Sequence, residues 1–101
     1  METIDIDRNL EKILVARGDA EKIVTAIASR YGLRPRDFTM TWDEGSFEPS
    51  RDEHELIIIR QDGSRATVHI DQTALVRRDT WTYFRDLDTA LMQLNRRKFL
   101  R

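Results

Sequence analysis

Asp62-Gly63 lies between two apolar-rich runs and constrains this chain more than any other feature. A type I′ turn needs positive φ at both central residues, and Asp-Gly supplies them at small steric cost. The pair predicts a hairpin closed by a two-residue turn, with its register counted outward from that turn. Gln61 then faces Ser64, Ile59 faces Ala66, Ile57 faces Val68 and Glu55 faces Ile70. Between them, Ile58 faces Thr67, Leu56 faces His69 and His54 faces Asp71. Successive strand residues point to opposite faces. One face carries Ile57, Ile59, Ala66, Val68 and Ile70, and is the expected core face. The other carries His54, Leu56, Ile58, Arg60, Arg65, Thr67, His69 and Asp71. A face left to water normally alternates to polar residues. Leu56 and Ile58 break that pattern, so this face is expected to be covered, either by a partner or by the loop that carries Phe47.

The remaining elements follow from periodicity. Leu10, Ile13, Leu14 and Arg17 have helical spacing, as do Ala20, Ile23, Val24, Ile27, Ala28 and Tyr31. Gly18-Asp19 interrupts them, because Gly disfavours a helix interior and Asp is a good N-cap. Residues 8–31 therefore form one kinked helix or two, and Ile13-Leu14-Val15-Ala16 could alternatively be a short strand. Gly32 suits the C′ position, with Pro35 soon after. Phe38, Met40 and Trp42 alternate with Thr39 and Thr41, as in a half-buried strand. Residues 43–53 read as a loop, the most acidic part of the chain, with Asp43, Glu44, Glu48, Asp52 and Glu53 against Arg51. Ala74-Leu75-Val76 is a short helix or lead-in. Asp79 or Thr80 caps a final helix with Trp81, Phe84, Leu87, Leu91 and Leu94 on its apolar stripe. The expected core is Trp42, Ile57, Ile59, Val68, Ile70, Trp81, Phe84, Leu87 and Leu91, with Ile23, Ile27 and Tyr31.

Length suits one domain spanning residues 1–101. Apolar residues make up 40%, enough for a core, and no apolar run approaches the ~20 residues of a membrane span. The acidic start does not resemble a signal peptide, and a soluble, cytoplasmic protein without membrane contact is expected. The chain has no cysteine, which excludes disulfides, thiolate metal sites and a cysteine nucleophile. The net charge of −1 argues against strong non-specific nucleic-acid binding, but it hides an asymmetry. Residues 1–76 carry ten Lys/Arg against fifteen Asp/Glu, whereas residues 77–101 carry seven against three.

Two constellations could carry chemistry. His54, His69 and Asp71 share a face in the expected register; two histidines and a carboxylate can hold zinc or iron, or run acid–base chemistry. No HxxxH, HxH or HExxH spacing supports a metal, and a one-residue slip dissolves the cluster. Arg77, Arg78, Arg85, Arg96, Arg97, Lys98 and Arg101 form a basic C-terminal set suited to phosphates, with Trp81 and Tyr83 as stacking residues. Helix, three strands, helix is also the order of double-stranded-RNA-binding domains, an analogy of order alone. Those domains begin their last helix with a lysine-rich run, and this one begins Arg77-Arg78-Asp79-Thr80. The acidic loop lacks the spacing of a calcium loop, and Gly-rich phosphate loops and Gly-x-Ser-x-Gly are absent.

The sequence thus predicts one α+β domain, a three-stranded antiparallel sheet with N- and C-terminal helices on one face. The expected function is a non-enzymatic interaction or regulatory module that binds a protein partner or itself, as a homodimer, through Leu56, Ile58, Thr67 and His69. Nucleic-acid binding by the C-terminal helix is the second reading, and a metal-dependent enzyme at the histidine face the third. No cofactor is implied.

Overall fold

The computed structural model describes residues 2–99, with side chains from Leu10 to Asn95. One continuous helix, α1 (Glu2–Arg30), opens the chain. Its apolar stripe stays in phase across Gly18: Ile13, Ala16, Ala20, Val24 and Ile27 are all buried. That shared burial outweighs the ~1 kcal/mol cost of a glycine in mid-helix, so neither a second helix nor a strand forms there. The helix stops in a Schellman motif. Gly32 takes φ +76° at C′, its N–H donates to Ser29, and the Leu33 N–H donates to Ala28 at 2.9 Å.

Three strands follow: β1 (Phe38–Trp42), β2 (Glu53–Arg60) and β3 (Arg65–Asp71), in spatial order β1-β2-β3 and antiparallel throughout. A short helix, α2 (Gln72–Val76), and a long one, α3 (Thr80–Phe99), complete the α+β architecture. Arg78, at φ +57°, makes the turn between them.

The hairpin register differs by one residue from that expected. Ile58 pairs with Ala66, Ile57 with Thr67, Leu56 with Val68, Glu55 with His69 and His54 with Ile70. The turn has a three-residue loop rather than a two-residue one. The Gly63 N–H donates to Arg60 O at 2.9 Å, and the Arg60 N–H donates to Ser64 O at 2.8 Å. Gly63 takes φ +91°, whereas Asp62 keeps negative φ and accepts the Ser64 N–H on its carboxylate at 2.9 Å. This is a type I turn followed by a left-handed glycine, the other hairpin that Asp-Gly supports. The one-residue slip exchanges the two faces of β2.

Leu56 and Ile58 are therefore fully buried, aligned with Trp42 and Met40 of β1 and with Val68 and Ala66 of β3. They pack beneath Ala20, Val24 and Ile27 of α1 and Leu75, Tyr83, Leu87, Leu91 and Leu94 of the later helices. Ile57 and Ile59, expected in the core, lie half-buried on the opposite, open face. Trp81 is also displaced from the expected core and is 85% exposed, while Tyr83 is buried. At ~100° per residue Trp81 sits about 120° round α3 from Leu87, and Tyr83 only about 40° from it. Phe84, Ile23 and Tyr31 are half-buried against the core, and the Tyr31 hydroxyl donates to Asp88 at 2.7 Å, tying the end of α1 to α3.

The helix is longer than the sheet it covers. The 29 residues of α1 span roughly 43 Å, while the eight residues of β2 span about 26 Å. The excess makes the molecule elongated, 57 × 25 × 20 Å. Its radius of gyration is 14.5 Å, against about 13 Å for a compact chain of this length. None of the described helices is long and apolar enough to cross a membrane.

Candidate functional site

The register that buries Leu56 also buries His54, which is 0% exposed on the core face. Its Nδ1 lies 2.8 Å from Asp43 Oδ2 and its Nε2 lies 2.8 Å from Gln72 Oε1. With Asp43 ionised, Nδ1–H donates to the carboxylate. The Gln72 amide then meets Nε2 with its carbonyl if the ring is charged, or with its NH2 if the ring is neutral. Asp43 also accepts the Glu48 N–H at 2.9 Å and the Glu55 N–H at 3.0 Å, and Arg51 stands 3.8 Å away. Burial alone would raise the Asp43 pKa. The hydrogen bonds from Glu48, His54 and Glu55 together outweigh it and hold the carboxyl below its ordinary 3.8. Asp43 and Glu44 take φ +47° and +64°, a left-handed turn that carries the chain back over the sheet. Phe47 then stacks on His54 with centroids 4.4 Å apart, and Trp42 meets both rings edge-on. From α1, Glu21 accepts the Trp42 indole N–H at 2.8 Å and the Arg17 guanidinium lies 5.5 Å from the Phe47 ring centre.

An Asp–His pair performs general-base chemistry when Nε2 faces a substrate. Here Nε2 is occupied by Gln72, and both His54 and Asp43 are buried away from solvent. The pair instead fastens the acidic loop to the sheet. Asp43, at the start of the acidic loop, is its buried anchor, and Phe47 packs against the core that holds Leu56 and Ile58.

The expected constellations do not assemble as drawn. His69 is exposed on the open face with Glu53 at 3.4 Å, and Asp71 is exposed at the start of α2, while His54 is buried on the other face. Among the described residues no group of three or more His, Asp or Glu side chains is placed to hold a metal. Thr67 and His69 are surface residues, but Leu56 and Ile58 lie behind them in the core, so the four do not share a surface. Arg77 and Arg78 border α1, where Arg78 meets Asp19 at 3.4 Å. Arg85 borders Thr67 and His69 at the other side of α3. The side chains of Arg96, Arg97 and Lys98, and the whole of Arg101, lie outside the described residues.

A cluster of exposed apolar side chains lies elsewhere. Leu10 is 39% exposed, Leu14 38% and Val15 46%. All three lie in the N-terminal half of α1, and with Glu11 they line a shallow apolar depression. A neighbouring groove of about 580 Å³ runs between α1 and α2, lined by Glu11, Lys12, Val15, Val76 and Arg78. This surface was legible in principle: at about 100° per residue Val15 lies about 160° round α1 from Ile13, well off the buried stripe. The open sheet face offers a second, smaller apolar centre in Ile57 and Ile59, flanked by Thr39, Thr41 and Thr67. Compared with protein-family models, curated proteins and solved structures, the chain matches none.

Proposed function

We propose that this chain is a non-enzymatic interaction module that binds protein through the N-terminal half of α1. One observation carries the reading: three large apolar residues, Leu10, Leu14 and Val15, stand 38–46% exposed within two turns of α1, beside the buried Ile13 and Ala16. Such a patch with a charged rim, here Glu11 and Lys12, is the usual anatomy of a contact surface. The buried Asp43–His54 pair fits the same reading, because both ring nitrogens are used in holding the fold.

Site-specific photo-crosslinking tests it. With p-benzoylphenylalanine at position 14, irradiation of expressing cells yields discrete protein adducts. The same probe at Asp62, in the exposed hairpin turn, yields none. No adduct at position 14, or the same adducts from both positions, refutes the reading.

A further inference from the structure

We infer that two copies of this chain pair through the outer edge of β1, strand against strand and antiparallel about Met40, a contact separate from the Leu10 surface. The edge is open. Hydrogen bonds of an antiparallel strand alternate between its two sides. The Gln61 N–H donates to Asp37 O at 3.1 Å, so Asp37, Thr39 and Thr41 bond β2 and the residues between them face outward. The Met40 N–H and C=O, the Phe38 C=O and the Trp42 N–H have no partner among the described residues. Phe38 and Trp42 both keep extended φ and ψ, so the edge runs the full strand.

β1 does nothing to guard this edge. Proteins commonly blunt an edge strand with charge, proline or a bulge. Phe38-Thr39-Met40-Thr41-Trp42 has no charge and no proline, and its pairing with β2 runs without a break. The opposite edge differs. β3 carries Arg65, His69 and Asp71, and α3 borders it with Arg85 and Asp86 beside Thr67 and His69.

The strand itself points to its occupant, because it reads nearly the same in both directions about Met40. Antiparallel pairing of two copies sets Met40 against Met40, and the two residues exchange both hydrogen bonds. At each end the Trp42 N–H of one copy meets the Phe38 C=O of the other. Thr39 of one copy faces Thr41 of the other on the open face, a favourable cross-strand pair. Just beyond the strand, the exposed Arg36 of one copy approaches the exposed Glu44 of the other. Asp37 and Asp43, which fall between them, are already engaged within the chain by Arg34 and His54. Every contact occurs twice, as a two-fold interface requires. The two three-stranded sheets become one. Five residues a side make a small interface, which predicts a weak dimer with Kd on the order of 10 μM.

Sedimentation equilibrium on the full chain is the first test. The wild-type mass climbs from 11.9 kDa toward twice that value as concentration passes about 10 μM. Thr39→Lys with Thr41→Lys sets like charges opposite each other and weakens the dimer about tenfold. Thr39→Lys with Thr41→Glu sets opposite charges in the same places and retains it. Leu14→Asp leaves it unchanged. Amide hydrogen exchange on the wild-type chain is the second test and needs no variant. The Met40 amide gains protection as concentration rises, while the Thr39 and Thr41 amides, bonded to β2, change far less. A chain that stays at 11.9 kDa up to roughly 300 μM overturns the inference, as does Met40 exchange that ignores concentration. So does a dimer that the two lysines leave intact, that the Lys–Glu combination loses, or that Leu14→Asp abolishes.

Discussion

Ile57 and Ile58 are adjacent, chemically identical and on opposite faces of β2, so truncating each in turn measures the register directly. Ile58 is fully buried beneath the helices. Ile58→Ala removes three methylene-sized groups at about 0.8 kcal/mol each, a transfer loss near 2.4 kcal/mol. The surrounding Leu56, Val68 and helix side chains cannot collapse fully, and the residual cavity brings the expected total to about 3–4 kcal/mol. Ile57 sits half-buried on the open face, where water fills the space left behind. Ile57→Ala therefore loses roughly half the transfer contribution and no cavity energy, about 1 kcal/mol. For a domain of this size that difference separates the melting temperatures by ten degrees or more, on the order of 4–8 °C per kcal/mol. Urea unfolding followed by far-UV circular dichroism gives both values, and dilute protein keeps association out of the measurement. Equal losses, or a larger loss for Ile57→Ala, would refute the observed register and return the hairpin to its two-residue turn.

Three further outcomes follow from named contacts. Asp43→Asn should cost about 1–3 kcal/mol at neutral pH, since the amide offers less to the His54 ring and the two N–H groups it must accept. The Asp43 pKa is lower folded than unfolded, so its contribution is complete above about 3.8 and disappears as pH falls through the lower folded value. Urea midpoints should therefore fall more steeply below pH 4 in wild type than in Asp43→Asn; parallel curves would contradict the assigned hydrogen bonds. Trp42→Phe leaves Trp81 as the sole indole, and its emission should already lie at the solvent-exposed end in the folded protein and barely move on unfolding; a large red shift would place Trp81 in the core. Gly63→Ala forces a β-carbon onto φ +91° and should lower stability by about 1 kcal/mol or more, readable in a thermal melt, and a neutral result would mean that the loop can change its turn type.

Much of the fold was readable from residues with strong local consequences. Gly32 stopped the first helix because a left-handed C′ residue favours glycine. Phe38, Met40 and Trp42 declared a strand by alternation, and Asp62-Gly63 declared the hairpin by its permitted φ angles. The run Leu56-Ile57-Ile58-Ile59 dictates two large apolar residues on each face of β2 in either register. Which two are buried was left to the tertiary structure, because Asp-Gly closes both a two- and a three-residue loop and local turn energies barely separate them. The alignment with Trp42 and Met40 of β1 and the cover from α1 and α3 chose Leu56 and Ile58. The same choice sent His54 inward to Asp43 and Gln72, residues 11 and 18 positions away in sequence, a meeting that no local spacing announces. Trp81 went the other way for the same reason: helical periodicity admits several stripes, and only packing against the sheet selects the one through Tyr83. The overhang of α1 needed no tertiary knowledge, since helix rise and strand length decide it, but only the folded body shows that Ile13 is covered and Leu10 is not.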